Sequence, residues 1–297
     1  MGLYHSLIEP FVAYGFMRRA LAASLALALG CGPIGVLLVL RRMSLMGDAM
    51  SHAILPGAAI AFLLAGLSLP AMAFGGLIAG LCVALLAGLV SRATQLKEDA
   101  SLAGFYLTSL ALGVLIVSAR GSNVDLLHVL FGTILSVDGP ALALVAAISS
   151  LTLLTLAVIW RPLIAECFDP GFLRAVGGGG SAYHIIFLAL VVLNLVAGFQ
   201  SLGTLMAVGM MMLPAAAARL WARNVWSMVL VAVAIAFGAG LIGLLASYHF
   251  NTASGPSIIL TAGLAYLGSI ALGGNGGLLP RYFPRPHYHT LPPEPAE

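Results

Sequence analysis

Apolar runs close to 20 residues long, nearly free of charge, succeed one another along most of this chain. The hydrocarbon core of a bilayer is about 30 Å thick, and a helix crosses it with about 20 apolar residues. Inside lipid every backbone N–H and C=O must be bonded internally, which leaves only helices or a closed barrel. The runs show no period-2 alternation, so they predict helices rather than barrel strands. Candidate spans cover 20–40, 47–67, 71–91, 102–119, 140–160, 182–199, 201–220, 226–248 and 256–272. The run 182–199 carries the slightest signal of the nine, being short and interrupted by Asn194. The expected fold class is all-α, a polytopic helical membrane protein of about 8–9 transmembrane helices.

Composition agrees. Charged residues make up 8% of the chain, against about 25% in a soluble domain. The 35 glycines among 297 residues suit close helix packing in lipid. The expected organisation is an N-terminal interfacial segment at 1–19, a transmembrane domain at 20–275 and a solvated tail at 276–297. Residues 3–17 read equally as an interfacial helix or a partial extra span, and they lack the layout of a cleaved signal peptide. With nine alternating spans, ten of the thirteen Lys and Arg residues fall on one side. That bias predicts a cytoplasmic 161–180 loop and a cytoplasmic tail.

One pair of residues stands against this background. Asp48 and His52 lie four positions apart at the start of the second run, one turn apart on one helical face. Asp48 is the only one of ten acidic residues inside an expected span, where a charge costs about 2.5–3.5 kcal/mol on insertion scales. A carboxylate oxygen and an imidazole nitrogen together suit a first-row divalent cation. The competing reading is a hydrogen-bonded pair serving packing, with Arg41 or Arg42 as counter-charge. Two ligands do not fill a metal's coordination shell, so the rest must come from water, backbone or a second subunit. Pro56 and Gly57, one turn further on, free backbone carbonyls and favour a kinked or broken helix, a device typical of transport sites.

Further features are more ordinary. Asp169, Pro170 and Gly177 suit the N-cap, first position and stop of a short helix in the 168–177 loop. Such a helix, with Phe172 and Leu173 apolar and Arg174 after them, either lies on the membrane or faces a partner. Pro214 should bend the run 201–220, whose cluster Met210–Met211–Met212 fits gap-filling packing better than soft-metal binding. The solitary His5, His128, His184 and His249 carry little weight, and the tail pair His287 and His289 is too sparse for a metal tract.

Exclusions narrow the function. Lys97 is the only lysine and Glu98 follows it, so the chain contains no GxxxxGK[ST] phosphate loop. Neither HExxH nor GxSxG occurs. Cys31, Cys82 and Cys167 are scattered and make no disulfide framework or CxxC site. A net charge of +3 without a basic patch excludes nucleic acid as a partner.

Residues 41–57 resemble the signature of the metal-ion permease subunits of ATP-binding-cassette importers for zinc, manganese and iron. The 169–177 segment looks like that family's cytoplasmic coupling helix, and 203–219 like its Gly-Thr…Pro-Ala-Ala…Arg span. The stretch 248–256 resembles its late loop, with Asn251 and Ala253 where the family pattern has Asp and Pro. The resemblance covers roughly 10–275 and implies an importer-type permease fold in a bacterial plasma membrane.

It further implies that the chain is not itself an enzyme and holds no intrinsic cofactor. It would pair with itself or a similar permease, take a divalent ion from an extracytoplasmic metal-binding protein, and be driven by ATP bound on separate cytoplasmic subunits. The ion would sit at Asp48 and His52, with two copies supplying two oxygens and two nitrogens. Asp169, Phe172, Leu173, Arg174 and Gly177 would couple to the ATPase, and Pro56, Gly57 and Pro214 would shape the pathway. The rival expectations are an ion-gradient-driven secondary metal transporter using the pair as a proton relay, and an intramembrane metalloenzyme.

Overall fold

A computed structural model describes residues 8–66, 68–96, 98–119, 137–168, 180–275 and 277–278. Among them the chain forms eleven helices and no strand. They are α1 (Glu9–Ala13), α2 (Gly15–Leu40), α3 (Met46–Ala53), α4 (Leu55–Ala65), α5 (Leu69–Ala93) and α6 (Glu98–Ala119). After 120–136 follow α7 (Gly139–Phe168), α8 (Gly180–Leu202), α9 (Thr204–Arg219), α10 (Val225–Phe250) and α11 (Ser254–Leu272). Among the described residues eight segments are long and apolar enough to cross a membrane, one of them the α3–α4 pair taken together.

α2 runs through the middle of the bundle, against α7, α9 and α10. α11 closes the side formed by α9 and α10, while α3 and α4 lie with α5 and α6 on the other side. α8 joins the two halves, touching α7, α9, α5, α3 and α2. The core is aliphatic and methionine-rich, with Leu27, Ile34, Met46, Met50, Phe187 and Met211 among its buried members. Small residues let backbones approach. A Cβ on Gly57 would run into the Gly75 carbonyl, and one on Gly35 into the Met211 carbonyl.

Three spans differ from the sequence reading. α2 begins at Gly15 rather than near residue 20, and among the described residues the five-residue α1 precedes it. α7 does not stop at Trp160 but continues through Pro162 to Phe168, a length of 30 residues. It therefore carries Glu166 into a spanning helix, so Asp48 is not the sole acid in one. Finally, Asn194 does not interrupt its helix: α8 is 23 residues long, and the short span is α9 with 16. The Asn194 side chain is buried and satisfied, its Nδ2 donating to Thr152 Oγ1 at 2.7 Å and to the Leu190 carbonyl at 2.9 Å.

Candidate functional site

The site is set up by a sharp reversal after α2. Arg42 takes the left-handed conformation at φ 60°, its N–H donates to the Val39 carbonyl at 3.2 Å, and the Met43 N–H donates to Leu38 at 2.9 Å. This is a Schellman ending with arginine in the position usually given to glycine. The Met46 N–H then donates back to the Met43 carbonyl at 3.0 Å, so α3 starts without a free linker.

α3 buries Met46, Gly47, Ala49, Met50, Ser51 and Ala53. The remaining stripe, Leu45, Asp48 and His52, lies at i, i+3 and i+7 on one face. Leu45 is 74% exposed on the single chain, and the Asp48 and His52 side chains are 63% and 32% exposed. Asp48 sits in the first turn, where the helix dipole favours a carboxylate.

His52 Nε2 lies 3.9 Å from Asp48 Oδ1, beyond hydrogen-bond reach. His52 Nδ1 is buried and has no hydrogen-bond partner among the described residues. Its ring stacks on Tyr106 of α6, with centroids 6.2 Å apart and planes at 26°. First-row ions hold such donors at about 2.1 Å, which sets two ligands on one ion about 3.0–4.2 Å apart depending on angle. The observed separation falls within that window. Arg41 is not the counter-charge of Asp48, because its guanidinium is committed to Glu166 at 3.3 Å.

Although Asp48 stands at a helix beginning, that beginning is sunk into the bundle. Gly47 faces Met211 and Met212, with a Cβ there 3.5 Å from the Met212 sulfur, and those methionines lie midway along α9. Tyr106 stands eight positions after Glu98 in α6, about 12 Å up that helix at 1.5 Å per residue. α3 is therefore packed at this level against α6, α5, α8 and α9, with the pair on its uncovered face.

Pro56 does interrupt the helix: α3 ends at Ala53 and α4 starts at Leu55. α6 meets this break with small residues. Ser109 Oγ donates to the Ala53 carbonyl at 3.1 Å, and a Cβ on Gly113 would come within 3.2 Å of the Pro56 nitrogen. Pro214 is buried in α9, which runs through it without interruption. Met210 and Met211 are fully buried core residues, as gap-filling predicts. Asp169, Phe172, Leu173, Arg174 and Gly177 lie outside the described residues. Asn251, the departure in the late loop, caps α10 in the left-handed conformation at φ 51°, which Asn tolerates.

Sequence reasoning missed one cluster. Arg41 joins Glu166 and Cys167 at the end of α7 to His184 near the start of α8. His184 had looked solitary, and Arg161-Pro162 had looked like the end of a span. The usable signal was a lone acid, Glu166, four residues beyond that proline.

The ABC 3 transport family matches residues 13–273 of the chain. The chain belongs to this family. It is 34% identical over 260 residues to the manganese import system permease protein ScaB of Streptococcus parasanguinis, spanning 88% of this chain and 91% of that protein. It is 32% identical over 268 residues to the chelated iron transport system membrane protein YfeD of Yersinia pestis, covering 90% and 89% respectively. A chain of the solved PsaBC from Streptococcus pneumoniae in complex with Fab superposes with TM-score 0.81 at 32% identity, covering 93% of this chain and 98% of that one. This ABC 3 chain is thus an all-helical, multi-pass permease of the bacterial plasma membrane, with the importer-type fold expected from the sequence.

Proposed function

We propose that the chain imports a divalent transition-metal ion of the zinc, manganese and iron group, with Asp48 and His52 as its ligands in transit. The observation that carries this reading is the pair's shared face of α3, its donors 3.9 Å apart and the buried His52 Nδ1 without a partner among the described residues. Relatives named for manganese import and chelated iron transport support the class of cargo. The uncovered stripe Leu45–Asp48–His52 leaves room for a second permease copy, identical or similar, whose own pair supplies the missing ligands.

ATP is bound and hydrolysed by separate cytoplasmic subunits that act on the 169–177 segment, and an extracytoplasmic binding protein delivers the ion. The chain supplies no phosphate loop of its own. Binding energy at the partner dimer selects between two openings of the pathway around the ion.

The test is metal uptake by the reconstituted complex. Asp48→Ala and His52→Ala each abolish uptake while assembly with the ATPase persists; normal transport by both variants overturns the site. Phe172→Asp leaves metal binding intact but separates ATP hydrolysis from uptake. Uptake by the chain alone, driven by an ion gradient, overturns the ATP-powered reading.

A further inference from the structure

Arg41 spends its whole guanidinium on two other helices. Nη2 donates to Glu166 Oε2 at 3.3 Å, Nη1 to His184 Nδ1 at 2.9 Å and Nε to Cys167 Sγ at 3.1 Å. Its Cζ lies 4.5 Å above the ring centroid of Phe187. Arginine only donates, so His184 Nδ1 accepts and the imidazole proton sits on Nε2. The side chains of Arg41 and Glu166 are only 7% and 10% exposed. A buried ion pair is weak evidence for stability, since apolar residues of similar volume do as well or better. Its better attested use is to fix register between elements.

The elements held here are specific. Glu166 and Cys167 stand on the last turn of α7, and His184 and Phe187 on the first two turns of α8. These are the two ends that bracket segment 169–179. On its own helix, Arg41 caps α2 and opens the hydrogen-bonded reversal that leads into α3. Six residues separate it from Asp48, and they form the hydrogen-bonded reversal and the start of α3 rather than a slack linker.

We infer that Arg41 is a positioning residue that locks both helix ends flanking segment 169–179 to the reversal carrying the Asp48–His52 helix, so that movement of those ends is handed to the ion site. This rests on the reading that ATPase subunits act on the chain through 169–177. The fork of three nitrogens is what lets one side chain grip two helices at once, which the point charge of lysine does not do. Arg41 touches neither the pair nor the ion, and it acts through the helix it anchors.

The test uses the full complex in lipid nanodiscs and vesicles, with Arg41→Lys, Glu166→Gln and His184→Gln as separate variants. Backbone hydrogen exchange is followed in peptides covering 41–48 and 164–184, with and without ATP, alongside ions transported per ATP hydrolysed. In the unaltered complex ATP changes exchange in both regions. In Arg41→Lys and Glu166→Gln the change at 164–184 remains, the change at 41–48 falls by at least half, and ions moved per ATP fall at least fivefold with ATPase activity within twofold. His184→Gln, which keeps an acceptor, shows a smaller loss.

An undiminished response at 41–48 in every assembled variant overturns the Arg41 link alone. Uptake and ATP hydrolysis falling in proportion also overturns it, since that marks a merely structural role. No ATP response at 164–184 in the unaltered complex overturns the coupling reading beneath it. If Arg41→Lys does not assemble, the two milder variants decide by the same criteria.

Discussion

The His52 carbonyl and Pro56 stand one helical turn apart, and Pro56 has no N–H with which to close that turn. The candidate ligand helix is therefore separated from the remainder of its span at Ile54, two residues after His52. Ser109 and Gly113 of α6 seat the break, one by a hydrogen bond to the Ala53 carbonyl and the other by having no side chain. Pro56→Ala restores the missing donor and lets α3 and α4 merge into one helix. Uptake then falls several-fold while metal binding and ATPase assembly persist, and uptake assays beside metal titration check both halves.

Tyr106 holds the imidazole of His52 by ring stacking at 6.2 Å rather than by a hydrogen bond. Aromatic pairs contribute about 0.5–1.5 kcal/mol beyond area burial. Tyr106→Leu therefore weakens ion binding by about 2- to 13-fold, whereas Tyr106→Phe, which keeps the ring, stays near the unaltered protein. Metal titration of the purified complex distinguishes them. Equal losses in both variants assign the effect to the hydroxyl instead.

Gly57 and Gly75 press backbone on backbone between α4 and α5. An alanine at either position drives a methyl into the opposing carbonyl, and overpacking of this kind costs about 1–3 kcal/mol. Gly57→Ala and Gly75→Ala each lower the thermal midpoint in detergent. Because both open the same contact, the double variant loses less than the sum of the two.

The spans and the shared helical face of Asp48 and His52 were legible in the sequence because each rests on local spacing, about 20 apolar residues or one helical turn. The height of the pair was not, since the charge rule assigns loops to sides and says nothing of how far a turn is recessed. Gly47 meets Met212 across 165 positions of sequence, and only the folded bundle brings them level. Arg41 meets His184 across 143 positions, so no motif could pair them. Glu166 was hidden by a local rule that failed, as α7 runs on through Pro162. Packing overrode the proline there.

Asn194 was misread for a related reason, and its partner gives the last prediction. The amide is 1% exposed and bonds Thr152 across α7 and α8 at 2.7 Å. Gly30 of α2 makes room for it, since a Cβ there would lie 2.7 Å from Ser149 Oγ and collide with Asn194 Oδ1. Interhelical hydrogen bonds in membranes contribute about 0.6 kcal/mol on average and up to about 1.7. Thr152→Val keeps the shape and removes the acceptor, so it costs about 1 kcal/mol, near the upper part of that range, because a buried donor loses a partner. Replacing both partners removes the polar groups together, which can be nearly neutral. The double variant Thr152→Val with Asn194→Leu therefore recovers part of the loss, and a double-mutant cycle on detergent unfolding measures the coupling. A cycle with no coupling would mean that the bond does not hold α7 to α8, leaving α8 fixed there by apolar packing alone.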